Sequence, residues 1–260
     1  MEKIAVWFSC GAASAVAAKL TLELYGATHQ VRLVNNPVIE EHEDNRRFLK
    51  DCERWLDHEI EFATNPKWPE CSAAVVWEKE RFMGGNFGAP CTRALKRYAR
   101  QHWERDNPVD HHVLGFTVEE RKRYERFIET ERTNVLVPLI DQELTKQDCM
   151  DIITRAGIAP PLVYKLGFPN ANCLGCVKAS SPTYWNHLRK VFPEVFAERA
   201  RQSREAGFKL ARVKGEWVHL DELDPEAMGR PLKRMVIDCG IFCEENLELE
   251  VTERPEDASD

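Results

Sequence analysis

The chain predicts an α/β fold: a doubly wound, mainly parallel sheet with a C-terminal cysteine-rich lobe. Three observations lead there. Short apolar runs alternate with helical periodicity from residue 4 to residue 156, the pattern of strands joined through crossover helices. The first run ends in a loop of small residues, Ser9-Cys10-Gly11-Ala12-Ala13-Ser14, and a helical pattern follows at once. Past Gly157 the alternation stops, prolines gather, and cysteines recur at Cys173, Cys176, Cys239 and Cys243.

The elements follow in order. Ile4–Phe8 reads as a buried parallel strand, because the run is short and wholly apolar. Ser14–Tyr25 has helical periodicity, and Val31–Val34 is a second strand. Glu43–Leu56 is helical and Ile60–Phe62 a short third strand. Thr92–Arg105 is a helix, Val109–Phe116 a strand and Glu119–Glu129 a helix. Asn134–Leu139 is a strand that Pro138 stops, and Thr145–Ala156 a helix with Thr145 as its N-cap. Pro182–Phe192 and Pro193–Glu205 read as short helices opened by proline. Lys209–Leu220, with Gly215 between alternating runs, reads as a hairpin. No internal repeat is visible. Residues 1–160 form the nucleotide-binding α/β domain of this reading, residues 161–243 the lobe packed on it, and residues 244–260 an acidic, disordered tail.

Composition narrows the class. At 260 residues with 43% hydrophobic content, the chain can bury a sizeable core. No stretch approaches the roughly 20 apolar residues that span a bilayer. Glu2 and the polar Ser9-Cys10 break argue against a signal peptide. The expectation is a cytoplasmic protein with no membrane partner. The net charge of −7 belongs to the tail, where Glu244–Asp260 holds eight acidic residues and one Arg. The remainder is neutral, so charge excludes neither a nucleotide nor a nucleic acid. Nine cysteines in a reducing compartment do not read as disulfides. Cys52, Cys71 and Cys149 each stand alone in a helical pattern and read as buried small hydrophobes.

The small-residue loop can let backbone N–H groups approach an anion, with the helix N-terminus adding partial positive charge. Ser14 can donate a hydroxyl to a phosphate. A tight turn that uses small residues for packing explains the same composition equally well. Downstream, Arg93, Lys96, Arg97 and Arg100 fall at helical spacing on one face. Like charges on a face are unfavourable unless an anion is near. Arg93 and Lys96, in the first turns beside Cys91, are candidates to clamp a phosphate or sulfate. Arg100 is assigned to the solvated remainder of that face. In Asp110-His111-His112 the two imidazoles point to opposite faces of a strand and are structural.

Cys91, the pair Cys173 and Cys176, and the pair Cys239 and Cys243 lie in loop-like, Gly- and Pro-rich contexts. Distant pairs plus a single cysteine can build a thiolate cage for a metal or an iron–sulfur cluster. Four thiolates also make a structural zinc site, although 62 residues between the pairs is unlike a compact zinc ribbon.

Ser9, Gly11 and Ser14 match the PP-loop, Ser-Gly-Gly-x-Asp-Ser, and the segment resembles that of the adenine nucleotide α-hydrolase superfamily. Cys10 stands for the first inner Gly and Ala13 for the Asp. Cys91-x-x-x-x-Lys96, then Leu114-Gly115 with Glu119, Glu120 and Arg121, then Pro138-Leu139, Asp148, Pro160-Pro161 and Tyr164-x-x-Gly167 are similar in order to segments of the PAPS and APS reductases. Asp238-Cys239-Gly240-Ile241-Phe242 resembles the Glu-Cys-Gly-Leu-His motif that carries the reductases' nucleophile, with Phe242 in place of His.

The resemblance implies an adenine nucleotide, ATP or PAPS/APS-like, held by Ser9, Cys10, Gly11, Ala12, Ser14, Arg93 and Lys96. It also implies a [4Fe–4S] cluster on Cys91, Cys173 and Cys176. Cys243 is the favoured fourth ligand and Cys239 the catalytic thiol or the ligand alternative. Magnesium is implied too, though Ala13 offers it no carboxylate. The implied enzyme is an oxidoreductase or a sulfurtransferase. It would reduce a sulfonucleotide or transfer sulfur to a nucleotide or nucleic acid. Its partners would be a sulfur donor or thiol reductant protein and, in the transfer version, tRNA or DNA. The alternatives are a non-catalytic nucleotide- and cluster-binding sensor, or the same fold with structural zinc.

Overall fold

A computed structural model describes residues 1–84, 88–130 and 133–232. The acidic tail, Asp238, Cys239, Phe242 and Cys243 lie outside the described residues. Among those described, Lys3–Trp7 (β1), Gln30–Asn35 (β2), Ile60–Phe62 (β3), His111–Val113 (β4) and Val135–Leu136 (β5) pair in parallel in the order β3-β2-β1-β4-β5. The chain is therefore α/β with a five-stranded parallel sheet. β1 is central: Ile4 sits opposite Val31 on one side and His111 on the other.

The apolar run of β1 needs cover on both faces, and it has it. Ile4, Val6 and Phe8 pack with residues of Ala12–Tyr25 (α1), Asp44–Leu56 (α2) and Lys146–Arg155 (α8). Ala5 and Trp7 turn the other way, to Trp103 of Tyr98–Asp106 (α5) and Phe127 of Arg121–Thr130 (α6). Cys52 and Cys149 are fully buried in the first of these layers, and burial pushes both thiols up to about 12. They behave as the small hydrophobes their context predicts. Cys71 does not: it is half-buried, outside any helix, in a turn with φ 52°. It precedes Ser72, whose hydroxyl accepts from Val75 N–H and caps Ala73–Glu80 (α3). No periodicity in so short an apolar segment separates α3 from a strand, so that helix is absent from the sequence reading.

Local chemistry accounts for most other boundaries. The Thr145 hydroxyl accepts from Asp148 N–H while the Asp148 carboxylate accepts from Thr145 N–H, so α8 begins at a reciprocal cap. Proline opens Pro90–Thr92 (α4), Pro138–Asp141 (α7), Pro182–Val191 (α10) and Pro193–Glu205 (α11). Pro138 thus starts a helical turn, and the preceding strand already ends at Leu136. The expected strand Val109–Phe116 shrinks to the three residues of β4 that pair in register with β1, with Asp110 N–H adding one bond to Lys3 O at 2.9 Å. Beyond Val113 the chain leaves the sheet to pass the first turn of α1. The expected hairpin is Ala211–Val213 (β6) against Glu216–Val218 (β7), antiparallel.

Residues beyond Leu162–Lys165 (α9) pack on the segment that follows β2. Val38, Trp68, Trp77 and Leu95 share one apolar cluster with Val163, Phe168, Trp185, Leu188 and Leu220. Trp185, 0% exposed, is its largest fully buried member; its indole N–H donates to Ala179 O at 2.7 Å. Trp185→Phe is expected to cost roughly 2 kcal/mol, part cavity and part unsatisfied carbonyl. An unchanged urea midpoint would contradict this. No helix among the described residues is long and apolar enough to cross a membrane.

Candidate functional site

The order of the strands reverses its direction of growth between β1 and β4. At such a switch point, loops leaving the carboxyl ends of neighbouring strands diverge and open a crevice. The loop after β1 is Ser9–Ser14. It turns through Cys10 at φ 56°, the region that favours glycine. Ser14, in the first turn of α1, braces it. Its Oγ accepts from Ser9 N–H at 3.1 Å and Gly11 N–H at 3.3 Å and donates to Gly11 O at 2.9 Å. The hydroxyl expected to reach a phosphate is therefore spent inside the loop here. Ala12 N–H goes to the hydroxyl of Tyr164, whose pKa burial pushes up to about 12, so it stays protonated. Ala13 N–H and Ser14 N–H belong to the first turn of α1, where backbone donors have no acceptor within the helix.

Gly115, just past β4, lies against that same turn. A Cβ there would stand 2.9 Å from Ser14 N and 3.1 Å from Ala13 C. Only a residue without a side chain lets the two strand ends converge so closely.

The segment after Cys91 differs from the sequence picture. Arg93–Arg97 forms a π-turn, not a continuous α-helix, so the four cations do not share a face. Arg93 pairs with Glu80 of α3 at 3.4 Å. Arg100 is 0% exposed, not solvated, and bonds both oxygens of Glu104, at 2.9 and 2.8 Å. Glu104 also lies 3.6 Å from His112 Nε2, while His112 Nδ1 accepts from Trp7 at 3.1 Å. That buried network anchors α5 to the sheet, and His112 belongs to it. His111 faces Glu2 instead, at 3.5 Å.

Lys96 turns toward the loop. It is 8% exposed, with Nζ 3.9 Å from Glu41 Oε1. Glu41 Oε2 accepts from Asn45 at 3.0 Å. Burial raises the Glu41 pKa against the pull of Lys96. Cys10 feels the same neighbours: burial first, then Glu41, lift its thiol well above the ordinary value, and Lys96 opposes them. Nearby, two buried amide oxygens, Asn36 Oδ1 and Asn45 Oδ1, have no hydrogen-bond partner among the described residues. Glu41, Asn36 and Asn45 lie beside the candidate loop and are absent from the sequence reading. Their signal was weak: a polar stretch directly after a strand's carboxyl end.

We expect the pair to be coupled. Lys96→Met leaves a buried carboxylate without its cation and should cost about 2 kcal/mol, between the exposed and fully buried cases. Adding Glu41→Gln should recover part of that. Strictly additive losses in a double-mutant cycle would refute the coupling.

Cys91, Cys173 and Cys176 belong to one apolar cluster: Cys176 is buried within it, and the other two pack against it half-buried. The Cys173–Cys176 loop is built with care. Tyr184 Oη accepts from both Gly175 N–H and Cys176 N–H, each at 3.1 Å, and Leu174 N–H donates to Glu40 O at 2.9 Å. The Glu40 carboxylate in turn accepts from the Ser72 hydroxyl at 2.6 Å and from Ala73 N–H and Ala74 N–H at 2.8 and 3.0 Å, at the start of α3. Among the described residues, no three His, Cys, Asp or Glu side chains are grouped to hold a metal. Soft thiolates are the right donors for iron–sulfur or zinc; the further expected ligands, Cys239 and Cys243, lie outside the described residues.

No family model matches the chain, and no curated protein matches it significantly.

Proposed function

We propose that the chain is a PAPS-reductase-like enzyme. In this reading an adenine nucleotide sits at the loop after β1, and a [4Fe–4S] cluster sits on Cys91, Cys173, Cys176 and Cys243. One observation carries it. The helical segment Pro90–Arg97 has Cys91 at one end, against the same large apolar cluster as Cys173 and Cys176, and Lys96 at the other, beside Cys10 and Glu41. This short segment linking the loop after β1 to the cysteine-bearing cluster is what supports reading the two as parts of one site.

The sheet is read as doubly wound, since its order turns back at β1 and β4 and both faces carry apolar packing. Residues 161–243 are read as the cysteine-rich lobe and residues 244–260 as an acidic tail, in a protein of the cytoplasm, where thiols stay reduced.

In this proposal the first-turn amides of Ala13 and Ser14, with the helix dipole behind them, meet the phosphate or sulfate. Ser9, Cys10, Gly11 and Ala12 shape the loop. Lys96 balances ligand charge, and its release from Glu41 is favoured by that carboxylate's raised proton affinity. Arg93 contributes after leaving Glu80. The unpartnered oxygens of Asn36 and Asn45 are acceptors suited to amino or hydroxyl groups of a nucleoside. The cluster, when bound, supplies an electron-rich, redox-active neighbour to the anion. Cys239 is the nucleophilic thiol of the reductive version, with a thiol reductant protein regenerating it. In the transfer version a donor passes sulfur to a nucleotide, tRNA or DNA.

Calorimetry with ATP, PAPS and APS on anaerobically purified protein tests the nucleotide, and turnover of each with and without Cys239→Ser tests the chemistry. Binding of none of the three overturns the proposal. A sensor role has one observation in its favour: the Ser14 hydroxyl and the Ala12 amide are already committed within the protein. Binding without turnover, with an intact cluster, would select it.

A further inference from the structure

We propose that Glu41 is the proton acceptor of the candidate anion site: an anion that engages Lys96 enters together with a proton, which Glu41 takes up. This rests on the anion site proposed above at the loop after β1. Glu41 follows β2, and its side chain is 12% exposed. Among the described residues its carboxylate has two polar partners. Asn45 Nδ2 donates to Oε2 at 3.0 Å, and Lys96 Nζ lies 3.9 Å from Oε1, within ion-pair reach but beyond a hydrogen bond. Asn45 is itself fixed, since Nδ2 also donates to Ala171 O at 2.9 Å. The adjacent Glu40 is held differently: its carboxylate accepts from the Ser72 hydroxyl and from Ala73 N–H and Ala74 N–H at the start of α3. A carboxylate offers about four acceptor sites. Glu41 is the sparsely held one of the two, and its negative charge depends on Lys96.

The charged and titratable groups that face Glu41 are Lys96 from the π-turn, Cys10 from the loop and Glu40 from its own segment, while α2 presents the neutral amide of Asn45. Burial disfavours the ionised carboxylate, and Lys96 opposes burial. An anion beside Lys96 weakens that opposition in two ways. It shares the ammonium charge, and it sets a second negative charge near the carboxylate. The favoured bound state is then a neutral Glu41 carboxyl, the Lys96 ammonium and the anion, with the proton drawn from solvent and no bond of the anion broken. The Cys10 thiol is not the acceptor, because burial and Glu41 already hold it protonated. Linkage fixes the sign. Glu41 binds its proton more tightly with the anion present than without it. Anion binding is therefore strongest at low pH and weakens as pH rises through the bound-state value.

The test is calorimetry of APS and ATP binding to full-length, anaerobically purified wild type and Glu41→Gln, in three buffers of different ionisation enthalpy, across the neutral pH range. APS has no group that titrates near neutrality. With ATP, the proton of the terminal phosphate cancels in the difference between the two proteins. Wild type should take up more protons per anion than Glu41→Gln, by up to about one, and its affinity should fall by up to about tenfold per pH unit. The Glu41→Gln profile should be flatter by the same amount. Equal proton counts and parallel pH profiles overturn the proposal. Should Glu41→Gln fail to fold or to bind, an infrared difference spectrum of wild type with and without APS decides. A new protonated-carboxyl band alongside net proton uptake supports the proposal, and absence of that band overturns it. If neither APS nor ATP binds the wild type, the anion site and this proposal fall together, an outcome distinct from tight binding without the extra proton.

Discussion

Cys176→Ala should leave the purified protein without iron. Cys176 is buried in the apolar cluster against which Cys91 and Cys173 pack, and its backbone amide is fixed on Tyr184 Oη. The loop that carries it is tied to Tyr184 and Glu40. A cubane cluster needs all its thiolates, so one loss should take the content from about four irons per chain to near zero. Cys91→Ala and Cys173→Ala should do the same. Cys52→Ala and Cys149→Ala should not, since those thiols are fully buried in α2 and α8 and held protonated. Of Cys239→Ala and Cys243→Ala only one should lose iron, which names the fourth ligand. Elemental analysis after anaerobic purification reads all of this. Full iron in Cys176→Ala sinks the cluster; one zinc per chain and no iron in the wild type selects the structural-metal alternative.

Gly115→Val should cost about 3 kcal/mol and lower nucleotide affinity by more than tenfold. The new Cβ would meet Ser14 N at 2.9 Å and Ser14 Cα and Ala13 C at 3.1 Å. These are backbone atoms of a braced helix turn, not the yielding end of a side chain. Overpacking of this kind costs on the order of 1–3 kcal/mol, and branching at Cβ puts the variant at the upper end. Relief requires α1 to retreat from the end of β4. That moves Ala13 N–H and Ser14 N–H, the donors proposed for the anion. Stability and affinity should therefore fall together, as read by urea unfolding and calorimetry. A folded variant that binds ATP or PAPS as tightly as wild type would place the ligand elsewhere.

Much of the architecture was legible beforehand, for reasons specific to each element. The apolar run at Ile4–Phe8 is wholly buried because β1 is central, and such a run has few other uses. Thr145 and Asp148 announce the cap of α8 within four residues, and Pro182 and Pro193 open their helices by fixing φ. The candidate loop was visible as small residues between strand and helix. Its partner Gly115 was visible only as part of a resemblance. The basic face was misread: helical spacing assumed an α-helix, and the π-turn at Arg93–Arg97 sends Lys96 toward Glu41 and Arg93 toward Glu80. Arg100 looked solvated because its partners Glu104 and His112 come together only when α5 lies on the sheet.

Sequence by itself determined the alternation of most strands and helices and the loop after β1, because period, capping and proline geometry act over a few neighbouring residues. Only the tertiary structure decided which cation meets the loop, which carboxylate opposes it, and that Tyr184 grips the Cys173–Cys176 turn. Those pairings join residues far apart along the chain. Their energies exist only once burial has removed water and brought the partners within hydrogen-bond reach.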